Sequence, residues 1–582
     1  MCCAVKEGGT SRAVNRATET SSEGSTTDED IGNYGNEVAV GMMFRNRDAF
    51  KQHMALYAIS RKFQYRSRKS EPGLMVLECC GDDCPWRVYA VKLKEADVFE
   101  IRKVVPDHLC TVDERGGYQT QATSSVIGEL MRSKFGGSCG GPKPREIRQM
   151  MRGDHDVDIS YWKAWHSRDV AIDKAKGTSQ SSYSQLPDYL HRLAAANSGT
   201  ITELLTEPVE GGASWFKYMF VAFGASVEGY AFMRKIFPLA FAIVDSENDM
   251  SWEWFFKQLS VFVTGSEGLV FVSDRHTSIF KAVSKVFPSA GHCICVVHLK
   301  RNIRSNFKAR HLEYLVAKAA RAFRLQEFYS IFNEIKTMDP KCAEYLLDVG
   351  VEHWARSHFS GNRYNVMTSN LAESWNSVLR EAREYPVIPL IEFIRGKLTA
   401  WFASRREAAE KNSGALTPKV SGIVTDNFEH TGGYLVTMIA EDEYEVRNEN
   451  GAGFHVDLVN KTCSCGEFQM LSIPCSHGIA SAIKGKIGVD SLVSPAYTIE
   501  KLRSAYAGSV LPVPDFTGLS DLVTDFGGMR LCPPLTRRPP GRPKKQRFFS
   551  RGEKIMKRMR RRTVCSRCKG FGHNKATCKE AI

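Results

Sequence analysis

Features that would mark a membrane or secreted protein are missing from this chain. None of its 582 residues belongs to an apolar run of 18 or more, so the sequence predicts no transmembrane helix and no membrane partner. Its first thirty residues, rich in Ser, Thr, Glu and Gly, lack the apolar centre of a signal peptide, and we expect them to be disordered. Since an intracellular chain keeps its thiols reduced, the 17 cysteines indicate metal ligands rather than disulfides.

Acidic residues are nearly absent from one basic stretch. Residues 537–562 hold thirteen Lys or Arg and a single acid, so most of the net charge of +14 lies there. This charge suits a polyanion or a nuclear import receptor, although a solvated linker has a similar composition. The segment PPGRPKK (539–545) resembles an AT-hook core, which binds narrow A·T minor grooves, and a nuclear localisation signal is the alternative. Its predicted DNA-binding residues are Arg542, Pro543, Lys544 and Lys545.

The clearest metal-binding pattern is CSCGEFQMLSIPCSH (463–477). Four thiol and imidazole ligands in two close pairs suit tetrahedral zinc, and four protein ligands make the zinc structural. We expect the strand-like GFHVDLVN (453–460) to deliver the first pair and a helix at 477–484 to carry the second. The spacing resembles the SWIM zinc finger. The predicted ligands are Cys463, Cys465, Cys475 and His477.

A second pattern, CSRCKGFGHNKATC (565–578), directly follows the basic stretch. It resembles a CCHC zinc knuckle, with Phe571 placed to contact a base of RNA or single-stranded DNA. A knuckle that binds only protein is the alternative. The predicted zinc ligands are Cys565, Cys568, His573 and Cys578.

A third pattern spans residues 77–110, where WRVYAVKL and VFEIRKVV read as β-strands between candidate ligands. The stretch from residue 41 to residue 110 resembles the N-terminal zinc domain of MuDR-type transposases, which is related to the WRKY and GCM modules. This resemblance implies sequence-specific DNA binding by a strand or loop, although a zinc-stapled fold without DNA contact is the alternative. The predicted ligands are Cys84, His108, Cys110 and Cys79, with Cys80 as the alternative to Cys79.

The centre of the chain first reads as helical and then alternates strands and helices, which predicts an α/β core. Several motifs in combination resemble those of Mutator-like element (MULE) transposases of the MuDR-type plant family, from about residue 38 to the C-terminus. They are YWKAWHSRDVA, FPLAFAIVDSENDMSWEWF, SDRH, CVVH and NLAESWN, together with the N-terminal zinc domain and the SWIM finger. The resemblance implies an RNase H-like catalytic domain whose three acidic residues hold divalent metal ions.

Two of the three acids can be placed by this resemblance. Asp274 ends the strand GLVFVSD and matches the second catalytic Asp, while Glu373 matches the catalytic Glu and is expected on a helix. The 98 residues between them contain HLEYLVAKAARAFRLQEFYSIFNEIK (311–336), which is read as an all-helical insertion. Cys295 and His298 match a Cys-x-x-His motif near the active site, with ordinary core packing as the alternative.

The first catalytic Asp has no place in this chain. In the family it lies on a strand that precedes a β-hairpin, upstream of the segment FPLAFAIVD, yet here Lys235 runs directly into Ile236. Two strands with their turns need roughly 20 residues or more. The resemblance implies that Asp245 ends the third strand instead, and it could replace the missing acid only if the sheet changed its register.

These observations predict a multidomain α/β protein that binds DNA in the nucleus and holds Zn²⁺, with Mg²⁺ or Mn²⁺ needed only if it is catalytically active. The DNA would be terminal inverted repeats or promoter sites, and a homo-oligomer is possible. An active cut-and-paste transposase with a mis-joined exon, and a protein-interaction scaffold, are the alternatives. We expect a disordered N-terminus (1–37), a MuDR-type zinc DNA-binding domain (38–112), a helical region (113–210), an RNase H-like MULE transposase domain that lacks its first strands and carries the helical insertion (211–410), a SWIM finger (440–485), a linker with the AT-hook-like tail (486–562) and a zinc knuckle (563–582).

Overall fold

The computed structural model describes residues 37–94, 96–136, 141–209, 212–233, 238–264, 268–309, 311–359, 361, 363, 366–380, 382–514 and 530–534. They form two compact units: the first runs up to Val244 and resumes at Ser369–Pro534, and the second comprises Asp245–Thr368. Both mix helices and strands, as predicted. No helix in these ranges combines the length and apolarity needed to cross a membrane. The zinc knuckle and the basic tail, with Arg542, Pro543, Lys544 and Lys545, lie outside the described residues.

The first unit begins with a five-stranded antiparallel sheet in the order β1-β5-β4-β3-β2, which packs against one helix. Phe50 and Met54 of that helix are completely buried in a core shared with Leu77, Val88 and Ile101 of the sheet. The two strands predicted around residues 86–105 are confirmed. The elements are β1 (Met43–Phe44), α1 (Arg47–Ser60), β2 (Tyr65–Glu71), β3 (Leu74–Cys79), β4 (Arg87–Lys92) and β5 (Phe99–Val105).

Five helices and a β-hairpin follow. The helices agree with the predicted helical region, but the prediction is wrong from residue 201 onward, where an antiparallel hairpin begins. After it come a helix and a three-residue strand within the segment PLAFAIVD, which pairs antiparallel with the second hairpin strand. The elements are α2 (Ser124–Arg132), α3 (Pro144–His155), α4 (Tyr161–Lys176), α5 (Ser179–Ser184), α6 (Leu186–Ala196), β6 (Ile201–Pro208), β7 (Ala213–Ala222), α7 (Gly224–Met233) and β8 (Phe241–Ile243).

The second unit joins a β-α-β element to a helical bundle. Its two strands are parallel, with Ile294 opposite Ser273, and helices follow both. The predicted all-helical insertion is confirmed, and its buried side chains include Leu315, Phe328 and Trp354. The elements are α8 (Asp249–Ser260), β9 (Val270–Ser273), α9 (Thr277–Val286), β10 (Gly291–Ile294), α10 (Val296–Asn306), α11 (Leu312–Arg321), α12 (Leu325–Met338), α13 (Pro340–Asp348) and α14 (Val351–Trp354).

The rest of the first unit carries the C-terminal cysteine–histidine cluster on a four-stranded antiparallel sheet. Part of the predicted linker is folded, because Tyr506, Val510 and Leu531 enter the core around Leu398 and Phe402. The last strand pairs parallel with β7. The elements are α15 (Asn370–Val378), α16 (Val387–Glu410), α17 (Pro418–Glu429), β11 (Leu435–Ala440), β12 (Glu443–Arg447), β13 (Gly453–Asp457), β14 (Thr462–Cys463), α18 (Glu467–Leu471), α19 (Ser476–Lys484), α20 (Val489–Leu492), α21 (Ile499–Ala505) and β15 (Arg530–Cys532).

Candidate metal centres and acidic residues

The N-terminal cluster brings four predicted ligands together at one end of the five-stranded sheet. Cys79 is the last residue of β3, Cys84 follows in the loop, and His108 and Cys110 come after β5. The four ligand atoms all lie within 4.8 Å of one another. Cys80, the alternative ligand, is not part of this group, and its backbone amide donates instead to the Gln64 carbonyl at 3.0 Å.

The spacing within this N-terminal cluster fits a tetrahedral zinc ion. With Zn–S bonds of about 2.3 Å and Zn–N bonds of about 2.1 Å, neighbouring ligand atoms lie about 3.6–3.8 Å apart. The Cys79 and Cys110 sulfurs are 3.7 Å apart, and His108 Nδ1 lies 3.4 Å from the Cys84 sulfur and 3.7 Å from that of Cys110. The donor set therefore fits zinc in both chemistry and geometry.

Surrounding residues fix the orientation of these ligands. The His108 ring stacks on Trp86, with centroids 5.5 Å apart and planes 9° apart, and also contacts Phe63. The Gly81 amide donates to the Cys79 sulfur at 3.5 Å. A side chain on Gly81 would place its Cβ only 2.5 Å from the Cys110 Cβ, so glycine is needed in this turn. Sequence reasoning missed both Trp86 and Gly81, although their positions between the ligands were visible.

Burial and hydrogen bonding give these ligands unequal proton affinities. Burial raises the pKa of the Cys79 thiol to about 12. Burial also acts on Cys84, but backbone amides donate to its sulfur and lower its pKa to about 7. Burial, together with nearby Arg115, lowers the pKa of His108 and favours the neutral imidazole that a metal requires. Metal binding would have to displace the Cys79 proton, so we expect affinity to fall as the pH falls.

The C-terminal cluster is built in the same way, from a strand and a helix. Cys463 lies on β14, which pairs with β13, while Cys475 and His477 begin α19. The predicted helix at 477–484 is confirmed, and the first pair follows its predicted strand by a short turn. All four ligand atoms, including the Cys465 sulfur, lie within 4.8 Å of one another.

Local contacts hold this cluster in place. His477 Nδ1 lies 3.8 Å from the Cys463 sulfur and 3.9 Å from the Cys475 sulfur, slightly wider than the tetrahedral spacing. The His477 ring is stacked against both Phe454 and Tyr434, at centroid distances of 3.9 and 5.3 Å. Amides of Cys465 and Gly478 donate to the Cys463 and Cys475 sulfurs at 3.5 and 3.4 Å. Such donors stabilise thiolates, and the arrangement fits a closed structural zinc site.

Asp274 lies at the carboxyl end of β9 in the second unit, as predicted. It accepts a hydrogen bond from the His276 amide at 3.2 Å. Because β9 and β10 are parallel and Ile294 faces Ser273, Cys295 emerges at the same edge as Asp274, and its amide donates to the Ser273 carbonyl at 2.8 Å. Cys295 is completely buried, whereas His298 is half-buried in the first turn of α10. Core packing therefore accounts for Cys295 more readily than for His298.

The other two acids are Glu373 and Asp245. Glu373 lies in the first turn of α15 in the first unit, and the helix is anchored by Trp375, which packs against Phe241 of β8. Asp245 is exposed, and its carboxylate accepts from the Ser246 amide at 2.6 Å and the Asn248 side chain at 3.3 Å. Asn248 in turn caps α8. Asp245 thus stabilises the turn before α8, which explains its presence without a catalytic role.

Three protein-family models match parts of the chain. The model of the MuDR family transposase matches residues 35–101, which include β1 to β4, the first three residues of β5, Cys79 and Cys84. The MULE transposase domain matches residues 216–302, which include Asp274, Cys295 and His298. The SWIM zinc finger matches residues 444–486 and contains all four ligands of the C-terminal cluster. No curated protein matches the chain.

Proposed function

Since the chain carries the MuDR, MULE and SWIM domains of a MuDR-type MULE transposase, we propose that it is a zinc-dependent DNA-binding protein that no longer cleaves DNA. The SWIM finger implies zinc binding, and the MuDR domain suggests DNA as the partner. The observation that carries the proposal is a basic edge strand, β2, held in place by the N-terminal cysteine–histidine cluster.

Strand β2 is exposed along nearly its whole length. After Tyr65, every residue of YRSRKSE is exposed, and the side chains of Arg66, Arg68 and Lys69 are 67%, 62% and 54% accessible. Basic side chains on an edge strand can also prevent strand-to-strand aggregation. These side chains also suit DNA binding, because the major groove accepts a two-stranded β-ribbon and Arg is the usual partner of guanine and phosphate. We infer that β2 and β3 form that ribbon.

Two carboxylates partly neutralise this strand, and the first, Glu71, pairs with Lys69 at 3.0 Å. Glu78 on β3 contacts Arg66 at 3.1 Å and Arg68 at 3.4 Å, so two guanidinium groups share a single negative charge. An exposed ion pair contributes little to stability and is readily exchanged for a phosphate contact. The strand therefore keeps a net positive charge and pre-orients both arginines without tying them to the protein.

The N-terminal cluster connects zinc to this surface. Cys79 ends β3, and its register partner on β2 is Tyr65, one residue before Arg66. A zinc ion held by Cys79, Cys84, His108 and Cys110 would fasten the end of the ribbon to the loop that follows β5. We propose that loss of this zinc would loosen the ribbon and weaken DNA recognition, although the buried core of the sheet would remain.

We propose further that the transposase domain is an RNase H-like remnant with impaired catalysis. Support comes from the β9-α9-β10 element with Asp274 at its carboxyl edge, and from the direct passage of Lys235 into Ile236 where a first Asp would be expected. Phosphoryl transfer with two metal ions needs several carboxylates to hold them. Asp274 and Glu373 alone would bind Mg²⁺ or Mn²⁺ weakly.

An active transposase is the second candidate, favoured by the strand-end position of Asp274 beside Cys295. Under that reading a longer transcript supplies the missing Asp, and sequencing across the Lys235–Ile236 junction decides between the two. The basic tail and the zinc knuckle belong to the proposal as further DNA or RNA contacts. Residence in the nucleus, self-association and binding to inverted repeats or promoters are proposed with them.

The test compares two double variants of the full chain. Because each lost phosphate contact lowers the salt slope by about 0.9, Arg66→Ala/Arg68→Ala should reduce the slope of log Kd against log salt by about 2. The matched control, Lys318→Ala/Lys336→Ala, removes two exposed positive charges from the helical insertion and should leave the slope unchanged. Fluorescence anisotropy with a duplex of about three helical turns gives both slopes. Equal slopes in the two variants, at equal zinc content, would refute the role of β2.

A further inference from the structure

Helices α2, α3 and α4 form a small bundle whose core also includes Ala55, Leu56 and Ile59 of α1. Buried residues from all three meet there: Val126, Ile127 and Met131 from α2, Ile147 and Met151 from α3, and Ala164, Ala171 and Ile172 from α4. Helices α2 and α4 approach closely at Gly128, where an added Cβ would lie 2.6 Å from the Val170 side chain. Helix α4 is therefore held firmly against α2.

The connection from α3 to α4 is a tight turn of five residues, 156–160. Asp156 adopts a left-handed conformation with φ of 55° and ends α3, and the Val157 amide donates to the Met151 carbonyl at 2.9 Å. Val157 and Ile159 are buried beneath the turn. Ser160 then caps α4 by accepting from the Lys163 amide at 3.1 Å. A helix, a short turn and a second helix that packs on α2 resemble helix-turn-helix DNA-binding modules, with a turn of five residues in place of the usual three or four.

The first two turns of α4 expose large aromatic side chains. Tyr161 is 54% accessible, Trp162 69% and Trp165 43%, while Ala164 and Ser167 on the opposite face are buried. The Trp162 ring stacks on the exposed His166 ring at 5.5 Å. Single exposed apolar residues are common, but three adjacent large aromatics on one helix face mark a binding surface.

The turn before α4 lies beside the start of β2. Lys62, which precedes β2, forms an ion pair with Asp156 at 3.2 Å, and the Tyr118 hydroxyl donates to the Asp156 carbonyl at 2.9 Å. The Gln121 side chain donates to the Tyr65 carbonyl at 3.0 Å. The turn before α4 and the start of β2 are thus joined within one unit, close enough for α4 and β2 to contact the same DNA.

The charges around α4 are compatible with DNA. The acids of the turn are paired, Asp156 with Lys62 and Asp158 with Arg148 at 3.9 Å, and Glu146 caps α3 by accepting from the Lys143 amide. Exposed Arg145 and Arg152 on α3 remain available to phosphates, and the positive end of the α4 dipole adds to them.

We propose that α4 is a recognition helix that enters the major groove next to the β2 ribbon, with Tyr161, Trp162, Trp165 and His166 against base edges. Aromatic carbons contact the thymine methyl group, and the indole and imidazole N–H groups donate to acceptors on purines. The protein would then contact a longer stretch of DNA than β2 alone can cover. This inference rests on the proposed DNA-binding function and adds a second reading element to it.

The test uses the full chain and a duplex first selected on it from a random-sequence pool. Trp162→Ala/Trp165→Ala should weaken binding to the selected duplex by about tenfold, since one good base contact contributes about 1–3 kcal/mol of discrimination. Its hydroxyl-radical footprint should shorten on one side. Replacing thymine by uracil should weaken the unmodified protein but not the variant. The control, Tyr314→Ala/Leu347→Ala, removes exposed apolar side chains from the helical insertion and should change nothing.

The outcomes separate this inference from the function on which it rests. If Trp162→Ala/Trp165→Ala binds normally while Arg66→Ala/Arg68→Ala does not, the recognition helix is refuted and β2 stands. If only the tryptophan variant weakens binding, α4 stands and the role of β2 is refuted. If the tryptophan variant binds DNA normally and instead loses self-association in sedimentation velocity, the face is a protein interface and the inference is overturned.

Discussion

Gly81→Ala should remove zinc from the N-terminal cluster. The new Cβ would lie 2.5 Å from the Cys110 Cβ and 3.2 Å from its sulfur. Because carbon atoms in contact are normally about 3.5–4.0 Å apart, either the turn or Cys110 must move by roughly 1 Å. A zinc site tolerates displacements of only about 0.2 Å in its ligand distances. The substitution also threatens the Gly81 amide donation to the Cys79 sulfur, which supports a ligand with an unusually high thiol pKa.

Overpacking of this kind costs about 1–3 kcal/mol, which corresponds to roughly a 5- to 150-fold loss of zinc affinity. The assay is zinc content by elemental analysis after a mild chelator challenge. Gly81→Ala should retain one zinc ion fewer per chain than its control, Gly73→Ala. Gly73 lies in the turn between β2 and β3, where an added Cβ meets nothing within 4 Å. If both variants retained the same zinc, then Cys79, Cys84, His108 and Cys110 would not form the metal site inferred from their spacing.

Three further predictions follow from single side chains. Glu78→Gln should strengthen DNA binding severalfold in an anisotropy titration, because it releases Arg66 and Arg68 from their shared carboxylate; weaker binding would contradict this. Burial lowers the pKa of His292 to about 4. The unfolded chain therefore binds a proton at this residue below about pH 6.5, whereas the folded chain binds it only below about pH 4. The free energy of unfolding of the second unit should therefore fall by up to roughly 3 kcal/mol as the pH drops from about 6.5 to about 4. Urea titrations at several pH values should show that His292→Gln reduces this pH dependence and that the control, His455→Gln, leaves it unchanged. Trp354→Ala should destabilise the helical insertion by about 3–5 kcal/mol, since it empties a fully buried site and leaves the Leu346 carbonyl without its donor; a loss below about 1 kcal/mol in the same titration would contradict the packing.

The cysteine–histidine spacing was the part of the structure most accessible from the sequence. Ligand pairs separated by one residue can reach the same ion, so the members of the C-terminal cluster could be named before any geometry was known. The choice between Cys79 and Cys80 could not be made in this way. Adjacent residues on a strand point to opposite faces, and only the pairing of β3 with β4 fixes which sulfur faces His108 and Cys110.

The hairpin β6–β7 was missed because the apolar residues of its first strand do not alternate with polar ones as they do in a typical strand. Ile201, Leu204 and Leu205 have helical spacing, and a bulge between Leu205 and Thr206 interrupts the alternation of a strand. Partners distant in the chain decide the structure here, since β7 also pairs with β8 and β15. The folded stretch around Tyr506 was not predicted for the same reason. Its apolar residues are buried by packing against α16, which is distant in the sequence.

Zinc-dependent, sequence-selective DNA binding is tested most directly by one titration series. The full chain is measured as purified, after zinc removal and after zinc is restored, and the quantity compared is the ratio of its affinities for the selected and the scrambled duplex. The phosphate contacts of the basic tail contribute equally to both affinities and cancel in this ratio. We predict that the ratio falls severalfold without zinc, because only α4 would still read the sequence, and that it recovers when zinc returns. A ratio that is unchanged by zinc removal would contradict DNA recognition by the N-terminal zinc domain.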